Sequence, residues 1–298
     1  MSVDAVARAA WSALEAGGSV PDEVDAALGV PAIDAVVRAG ELHLRLLGRL
    51  GGAVETKSSR RDLVTEADVE AERLVVEALR AAAPSHAIEA EEETVDARDD
   101  RPRWFLDPLD GTVNFVHELP LFAVSLALYR GRRPLFGVVH APRLGETFVA
   151  AAGAGAWLVE TGVDRPRRLR VSPTSELADA ILATGFPYLR GEVEHSNLEN
   201  FQRFFHDVRG LRRMGSAALD LAYVAAGRLD GFWELHLSPY DVAAGALLVQ
   251  EAGGEVTDAL GGDDWLRGGE IVAAGAGLIE DMRGRIVSRG SSAARDGS

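Results

Sequence analysis

Residues 104–115 read WFLDPLDGTVNF, and no other stretch restricts the fold as much. A strand-like apolar run ends on Asp107, Pro108, Leu109, Asp110, Gly111 and Thr112, so a sheet must stop here and the chain must turn at once. The turn carries two carboxylates three positions apart. Left uncompensated at the end of a buried strand, such a pair suffers desolvation and mutual repulsion. A divalent cation relieves both. A calcium loop is the wrong fit, because it needs oxygen ligands at alternate positions and glycine at the sixth, whereas Gly111 comes fifth and Pro108 and Leu109 break the alternation. Pro108 sets one backbone angle and Gly111 allows an unusual one. Between them the Leu109 carbonyl can turn inward as a third oxygen. Oxygen ligands without His or Cys nearby favour Mg²⁺ or Mn²⁺ over zinc.

Composition narrows the ligand further. The chain has 298 residues, enough for about two domains, and its 47% hydrophobic and 26% charged residues are those of a soluble globular protein. A net charge of −15 argues against nucleic acid or an anionic membrane surface as partner, since both need a basic footprint. A phosphate ester is still an admissible ligand where metal ions reverse the local field. The absence of cysteine excludes disulfides, iron–sulfur clusters, thiolate zinc sites and cysteine nucleophiles. The opening MSVDAVARAAWSALEAGG has neither a basic leader nor a continuous apolar core. No apolar run approaches the roughly 18 residues of a membrane span. A cytoplasmic location is expected.

Pro21 and Pro31 punctuate residues 1–31, which read as an appendage with one short helix near Ser19. A longer helix is expected from Ile33 to Leu50, with Ile33, Val36, Val37, Leu44 and Leu47 on one face. GGAVETKSSRRD follows as a loop or hairpin, and TEAD at 65–68 marks the next helix start, with an acid three residues after the Thr65 cap. After Pro84 come strand-length segments: HAIEA, RWFLD, FAVSLALYR, PLFGVVHAP and ETFVAAA. Beyond TGVDRP the pattern alternates. Strands are expected at 180–184, 231–235 and 271–274, and helices at 195–207, 216–226, 242–252 and 278–287. This reads as α+β followed by α/β, with an α+β half at 32–162, an α/β half at 163–288 and a disordered tail at 289–298. There is no internal repeat.

The other acidic segments each have an ordinary explanation. EAEEETVD at 89–96 reads as a solvated charge run, DLVTEAD at 62–68 as helix capping, and Asp241 in SPYDVAAGALLVQEAGG as an N-cap. GAGAW at 153–157 lacks the spacing and following helix of a nucleotide loop and reads as a turn. His43, His117, His140, His195 and His236 form no HxxxH or HxH pair, and Ser125 and Ser238 sit in no nucleophile elbow.

Taken together, the segments resemble the inositol monophosphatase family of Mg²⁺-dependent, lithium-sensitive phosphatases. The resemblance rests on KSSRRDLVTEAD at 57–68, PSHAIEAEEE at 84–93, DPLDGTVNF at 107–115, RRMGSAALDLAYVAAGRLDGFWE at 212–234 and YDVAAGALLVQEAGG at 240–254. These blocks follow the family's order and cover about residues 32–290. The resemblance implies a layered αβαβα sandwich with the site between its halves. It implies that Glu91, Asp107, the Leu109 carbonyl, Asp110 and Asp241 hold two or three Mg²⁺ ions, replaceable by Mn²⁺, with Thr112 reaching one of them. It further implies that Glu92 supports the site, that Asp68 accepts a hydrogen bond from Thr112, and that Lys57 helps close the site from the early loop. Gly215, Ser216, Ala217 and Glu234 would meet the substrate's hydroxyls. Lithium inhibition and a homodimer are expected on the same basis. Ala90 stands where the family usually has Gly, and Tyr240 where it usually has Trp; neither removes a ligand, but Tyr240 bears on substrate identity.

The expected chemistry follows. A phosphate monoester repels hydroxide and hydrolyses extremely slowly unaided. Two metals about 3.5–4 Å apart can clamp the attacking and leaving oxygens of an in-line displacement. A water near Glu91, oriented by Thr112 and Asp68, attacks phosphorus, while the amides of Gly111 and Thr112 and the carboxylate of Asp110 hold the ester. No phosphoenzyme is needed. Myo-inositol 1-phosphate is the substrate of first choice. The alternatives are histidinol phosphate, fructose 1,6-bisphosphate, 3′-phosphoadenosine 5′-phosphate, or a non-catalytic metal- or polyol-binding role. Nucleotidase-like members tend to carry Lys-Glu where this chain has Val113–Asn114, which favours the inositol type.

Overall fold

The computed structural model describes residues 1–49, 54–56, 63–97, 99–188 and 191–288. Its first helix, α1 (Val3–Gly17), corrects the reading of the N-terminal stretch as holding only a short helix near Ser19. The Ser2 hydroxyl caps it by accepting the Ala5 N–H at 3.3 Å. Val6, Ala10, Trp11 and Leu14 repeat at helical spacing and are buried. They pack α1 against α2 (Ala26–Leu46) and one end of the larger sheet. α2 starts at Ala26, ahead of the expected Ile33, because Asp25 accepts the Leu28 N–H at 3.0 Å and caps the helix there. Pro31 lies inside α2 rather than before it. Burial of Leu28, Ala32, Ile33 and Val36 on either side offsets the lost backbone bond.

A short antiparallel hairpin, β1 (Val54–Thr56) and β2 (Leu63–Thr65), leads into α3 (Glu66–Ala82). Seven strands then form one sheet in chain order: β3 (Ala87–Ala90), β4 (Arg103–Asp110), β5 (Ala123–Arg130), β6 (Arg133–Ala141), β7 (Glu146–Ala151), β8 (Gly155–Glu160) and β9 (Arg167–Arg168). Only the β3–β4 pair is parallel. A five-residue helix, α4 (Thr112–Val116), follows β4 directly. The middle strands are buried on both faces, and the two-residue alternation divides their side chains between two cores. Val124, Leu126 and Leu128 of β5 face α1–α3, whereas Ala123, Ala127 and Tyr129 face the opposite layer.

That opposite layer is built by α6 (Ala217–Ala225) and α7 (Pro239–Glu251), after α5 (Leu198–Phe205) has passed outside. α7 is apolar around its whole circumference because it is covered on both sides. Its far side meets a mixed five-stranded sheet of β10 (Ile181–Thr184), β11 (Gly210–Arg212), β12 (Gly231–Leu235), β13 (Glu255–Thr257) and β14 (Glu270–Ala274), in the order β11-β10-β12-β14-β13. α8 (Trp265–Gly268) packs beside α7 and β14, and α9 (Ile279–Arg285) closes the outer face with α5. The layers are therefore α, β, α, β, α.

Two features position the site. Asp107 pairs with Ser125 and Asp110 with Ala123, so β4 carries one extra residue over this interval. Pro108 cannot donate to the ladder, and the resulting bulge swings both acids to the sheet's end. Gly111 then takes φ +97°, a left-handed conformation, and a Cβ there would lie 2.9 Å from the Leu121 carbonyl oxygen. Only glycine makes this corner.

Candidate active site

Four carboxylates from three separate chain segments act on one another at the end of β4. Asp107 is only 2% exposed, and its Oδ1 accepts the Leu109 N–H at 2.9 Å. Burial pushes its carboxyl well above the ordinary aspartate range, with Glu91, Asp110 and Asp241 adding to the effect. Glu91 follows β3 and is held by its own N–H, which donates to the Leu106 carbonyl at 3.1 Å. Asp241 is the third residue of α7, and its Oδ2 accepts the Ser238 N–H at 2.6 Å. Ser238, not Asp241, is therefore the N-cap, and the two residues form a capping box. Burial raises Asp241 well above its ordinary value, helped by Glu91 and Asp110. Asp110 commits Oδ2 to the Ser216 hydroxyl and the Ala218 N–H, both at 2.7 Å, tying the bulge to the start of α6. Burial outweighs these bonds and lifts it to about 6.

Among the described residues, the charges that act most strongly on Asp107 and Asp241 are acidic. The donors are all hard oxygens. This set fits a divalent cation, whose charge would relieve the repulsion that burial magnifies. Among the described residues, no three His, Cys, Asp or Glu side chains are drawn into a closed coordination cage. The acids share a field around a common space.

Asp68 serves two purposes at once. Its Oδ2 accepts the Thr65 N–H at 2.8 Å and the Thr65 hydroxyl at 2.6 Å, which is the capping role of DLVTEAD. Its Oδ1 meets the Thr112 hydroxyl at 3.0 Å, across 44 positions of chain. Thr112 has one proton for two acceptors, since the Leu109 carbonyl lies 3.1 Å from the same oxygen. The two bonds are therefore alternatives for the hydroxyl proton, which Thr112 donates either to Asp68 Oδ1 or to the Leu109 carbonyl. Burial lifts Asp68 to about 6, against the lowering effect of its hydrogen bonds. Lys57 lies outside the described residues.

The acidic run at 89–96 is anchored, not merely solvated. Glu72 of α3 is 1% exposed, and its carboxylate accepts the N–H groups of Glu92, Glu93 and Thr94 at 2.8, 3.0 and 2.7 Å. This clamp fixes the turn that bears Glu91 and Glu92. Nothing in the sequence of α3 separates Glu72 from its surface acids. Glu72→Gln exchanges one acceptor oxygen for an NH₂ that must face N–H donors. It is expected to cost about 2 kcal/mol of stability and to weaken divalent-cation binding. Thermal melts and cation titration of the variant check this; an unchanged cation affinity would show that the clamp does not position Glu91.

Beside the carboxylates lies a cavity of about 360 Å³. Glu91, Asp110, Tyr240 and Asp241 line it together with Gly215, Ser216, Ala217 and Glu234. Glu234 on β12 is buried, and burial lifts it to about 8, opposed by Arg213 and assisted by Asp110. Gly185 makes room for it: a Cβ at Gly185 would stand 2.1 Å from both Glu234 carboxyl oxygens. Asn114, to which the sequence assigned no positioning role, donates to the Leu121 and Met214 carbonyls at 2.6 and 2.8 Å and so pins the turn before Gly215 to α4. Arg213 and Asp220, given no role by the sequence, also line the cavity.

Two sheets layered between helices, with acids gathered beside a polar cavity, fit the class of metal-dependent phosphoric monoester hydrolases. The model of the inositol monophosphatase family matches residues 26–289. An inositol-1-monophosphatase of Mesorhizobium japonicum is 42% identical over 243 residues, covering 81% of this chain and 89% of that one. The protein named Nus factor SuhB in Pseudomonas aeruginosa is 46% identical over 255 residues, with the same coverage of 81% and 89%. The crystal structure of extragenic suppressor protein suhB from Bartonella henselae superposes with a TM-score of 0.78 at 39% identity, covering 86% of this chain and 96% of that one. The chain belongs to the inositol monophosphatase family. Among the described residues no helix is long and apolar enough to cross a membrane.

Proposed function

We propose that this chain hydrolyses a polyol monophosphate, with myo-inositol 1-phosphate as the preferred substrate, and that it uses Mg²⁺, two or three ions, with Mn²⁺ as a substitute. The observation that carries the reading is the juxtaposition of four mutually raised or raising acids with a cavity that Ser216 and Glu234 also line. Glu91, Asp107, Asp110, Asp241, the Leu109 carbonyl and the Thr112 hydroxyl would hold the metal. Bound there, it supplies charge neutralisation and a reactive water. Thr112 orients that water through its hydroxyl, and Asp68 Oδ1 takes up the proton that Thr112 passes on. The first-turn amides of Gly111 and Thr112 face the ester's phosphate, and Glu92 supports the Glu91 turn. The water oxygen–phosphorus bond forms as the ester oxygen–phosphorus bond breaks, giving alcohol and inorganic phosphate. Gly215, Ser216, Ala217 and Glu234 hold the alcohol, and Lys57 closes the site from the early loop. The reading includes a metal-binding half to residue 162, a substrate-binding half from 163, a homodimer, lithium inhibition and a cytoplasmic location.

The relatives carry names of two kinds, so the substrate is best decided by assay. Phosphate release is compared for myo-inositol 1-phosphate, histidinol phosphate, fructose 1,6-bisphosphate and 3′-phosphoadenosine 5′-phosphate with Mg²⁺ present. The inositol ester is expected to turn over fastest. Negligible turnover of it beside rapid release from histidinol phosphate would overturn the choice.

A further inference from the structure

Asp220 lies in the first turn of α6, where an acid ordinarily sits in water and complements the helix dipole. Here it does not. The residue is 1% exposed, and its Oδ1 is buried with no hydrogen-bond partner among the described residues. It lines the same cavity as Ser216 and Glu234. The Ser216 hydroxyl caps α6 by accepting the Leu219 N–H, so capping does not explain the burial of the Asp220 side chain. A buried acceptor left unmatched is a liability in a fold, and it finds a use where a ligand supplies the missing group.

We propose that Asp220 is a specificity-determining residue that bonds a hydroxyl of the substrate's polyol half in this cavity. The inference rests on the phosphatase reading above. Two further observations fit. Burial, followed by the charges of Glu234 and Asp110, raises the Asp220 carboxyl well above its ordinary range, and a neutral carboxyl both donates to and accepts from an alcohol. Arg213 acts on Asp220 and on Glu234 from the same cavity, so positive charge is already supplied and a neutral hydroxyl matches better than an ammonium group.

The test compares wild type, Asp220→Asn and Asp220→Ala, each with Mg²⁺, on myo-inositol 1-phosphate and on p-nitrophenyl phosphate, which has no hydroxyl to offer. In Asp220→Ala, kcat/KM is expected to fall at least about tenfold further for the inositol ester than for the aryl ester, chiefly through KM. Equal losses on both esters, or no loss on either, would overturn the proposal. Should the alanine variant not fold, the set of singly deoxygenated inositol 1-phosphates decides. One of them is expected to lose about tenfold in wild type and much less in Asp220→Asn; a penalty identical in both proteins would count against the contact. A wild-type preference for an aminoalkyl phosphate that Asp220→Asn abolishes would also overturn it, because the group read would be an ammonium. Failure of wild type to release phosphate from any ester would instead remove the phosphatase reading itself.

Discussion

Asp107→Asn is expected to lower phosphate release by about a thousandfold while making the metal-free protein more stable than wild type. Both effects come from one side chain. Asp107 is buried to 2% exposure among Glu91, Asp110 and Asp241, and its carboxyl is pushed well above the ordinary range by burial and by those charges. Asparagine has the same shape and keeps an Oδ1 to accept the Leu109 N–H, now at 2.9 Å. It removes a negative charge that the fold alone does not need. Each kcal/mol of repulsion relieved is worth about 2–4 °C of melting temperature in a domain of this size class. Thermal melts in chelator and phosphate-release assays check the two halves together. A variant that keeps activity within tenfold, or that melts lower than wild type without metal, would contradict the account.

The second large effect is a pH-dependent response to divalent cation. Asp68 and Asp110 are raised to about 6 from an ordinary 3.8, and Glu234 to about 8 from 4.5, in each case chiefly by burial. A raised carboxyl holds its proton more tightly in the folded than in the unfolded chain. Between the two values the folded state therefore binds more protons, and stability falls as pH rises. The contribution is full below the unfolded value, and it is lost through about 6 for Asp68 and Asp110 and through about 8 for Glu234. The metal-free protein is expected to melt progressively lower from pH 5 to pH 8. A divalent cation replaces the missing protons, so at saturating Mg²⁺ the melting temperature should rise on the order of 5–10 °C near pH 8 and less near pH 5. A melting temperature indifferent to Mg²⁺ at pH 8 would show that the acids do not form a cation site.

Much of this site was legible because its chemistry is local. The apolar run before Asp107, with Pro108 and Gly111 in the turn, reads directly as a strand ending in a corner, and the structure adds the bulge that aims both acids. For Asp68 the two readings of its segment were not rivals, since one carboxyl oxygen caps α3 and the other meets Thr112. What escaped depends on partners distant in sequence. Glu72 looks like any acid of an amphipathic helix until the chain returns 20 positions later to place its N–H groups on it. Asp220 looks like a dipole-complementing acid until the fold buries it within the field of Glu234 and Asp110. The helix α1 shows a different failure. Its spacing of Val6, Ala10, Trp11 and Leu14 is helical, but small alanines dilute the apolar signal. Pro31, read as a boundary, is carried inside α2 because its neighbours are buried.

The central claim is that Glu91, Asp107, Asp110 and Asp241 surround a shared cation site that serves phosphate ester hydrolysis. Anomalous scattering from crystals soaked in Mn²⁺ and inorganic phosphate tests it most directly. The expected result is at least one strong Mn²⁺ peak touching Asp107 and one or more of the other three acids, with phosphate beside Thr112. Clear peaks elsewhere on the protein and none among these four carboxylates would contradict it.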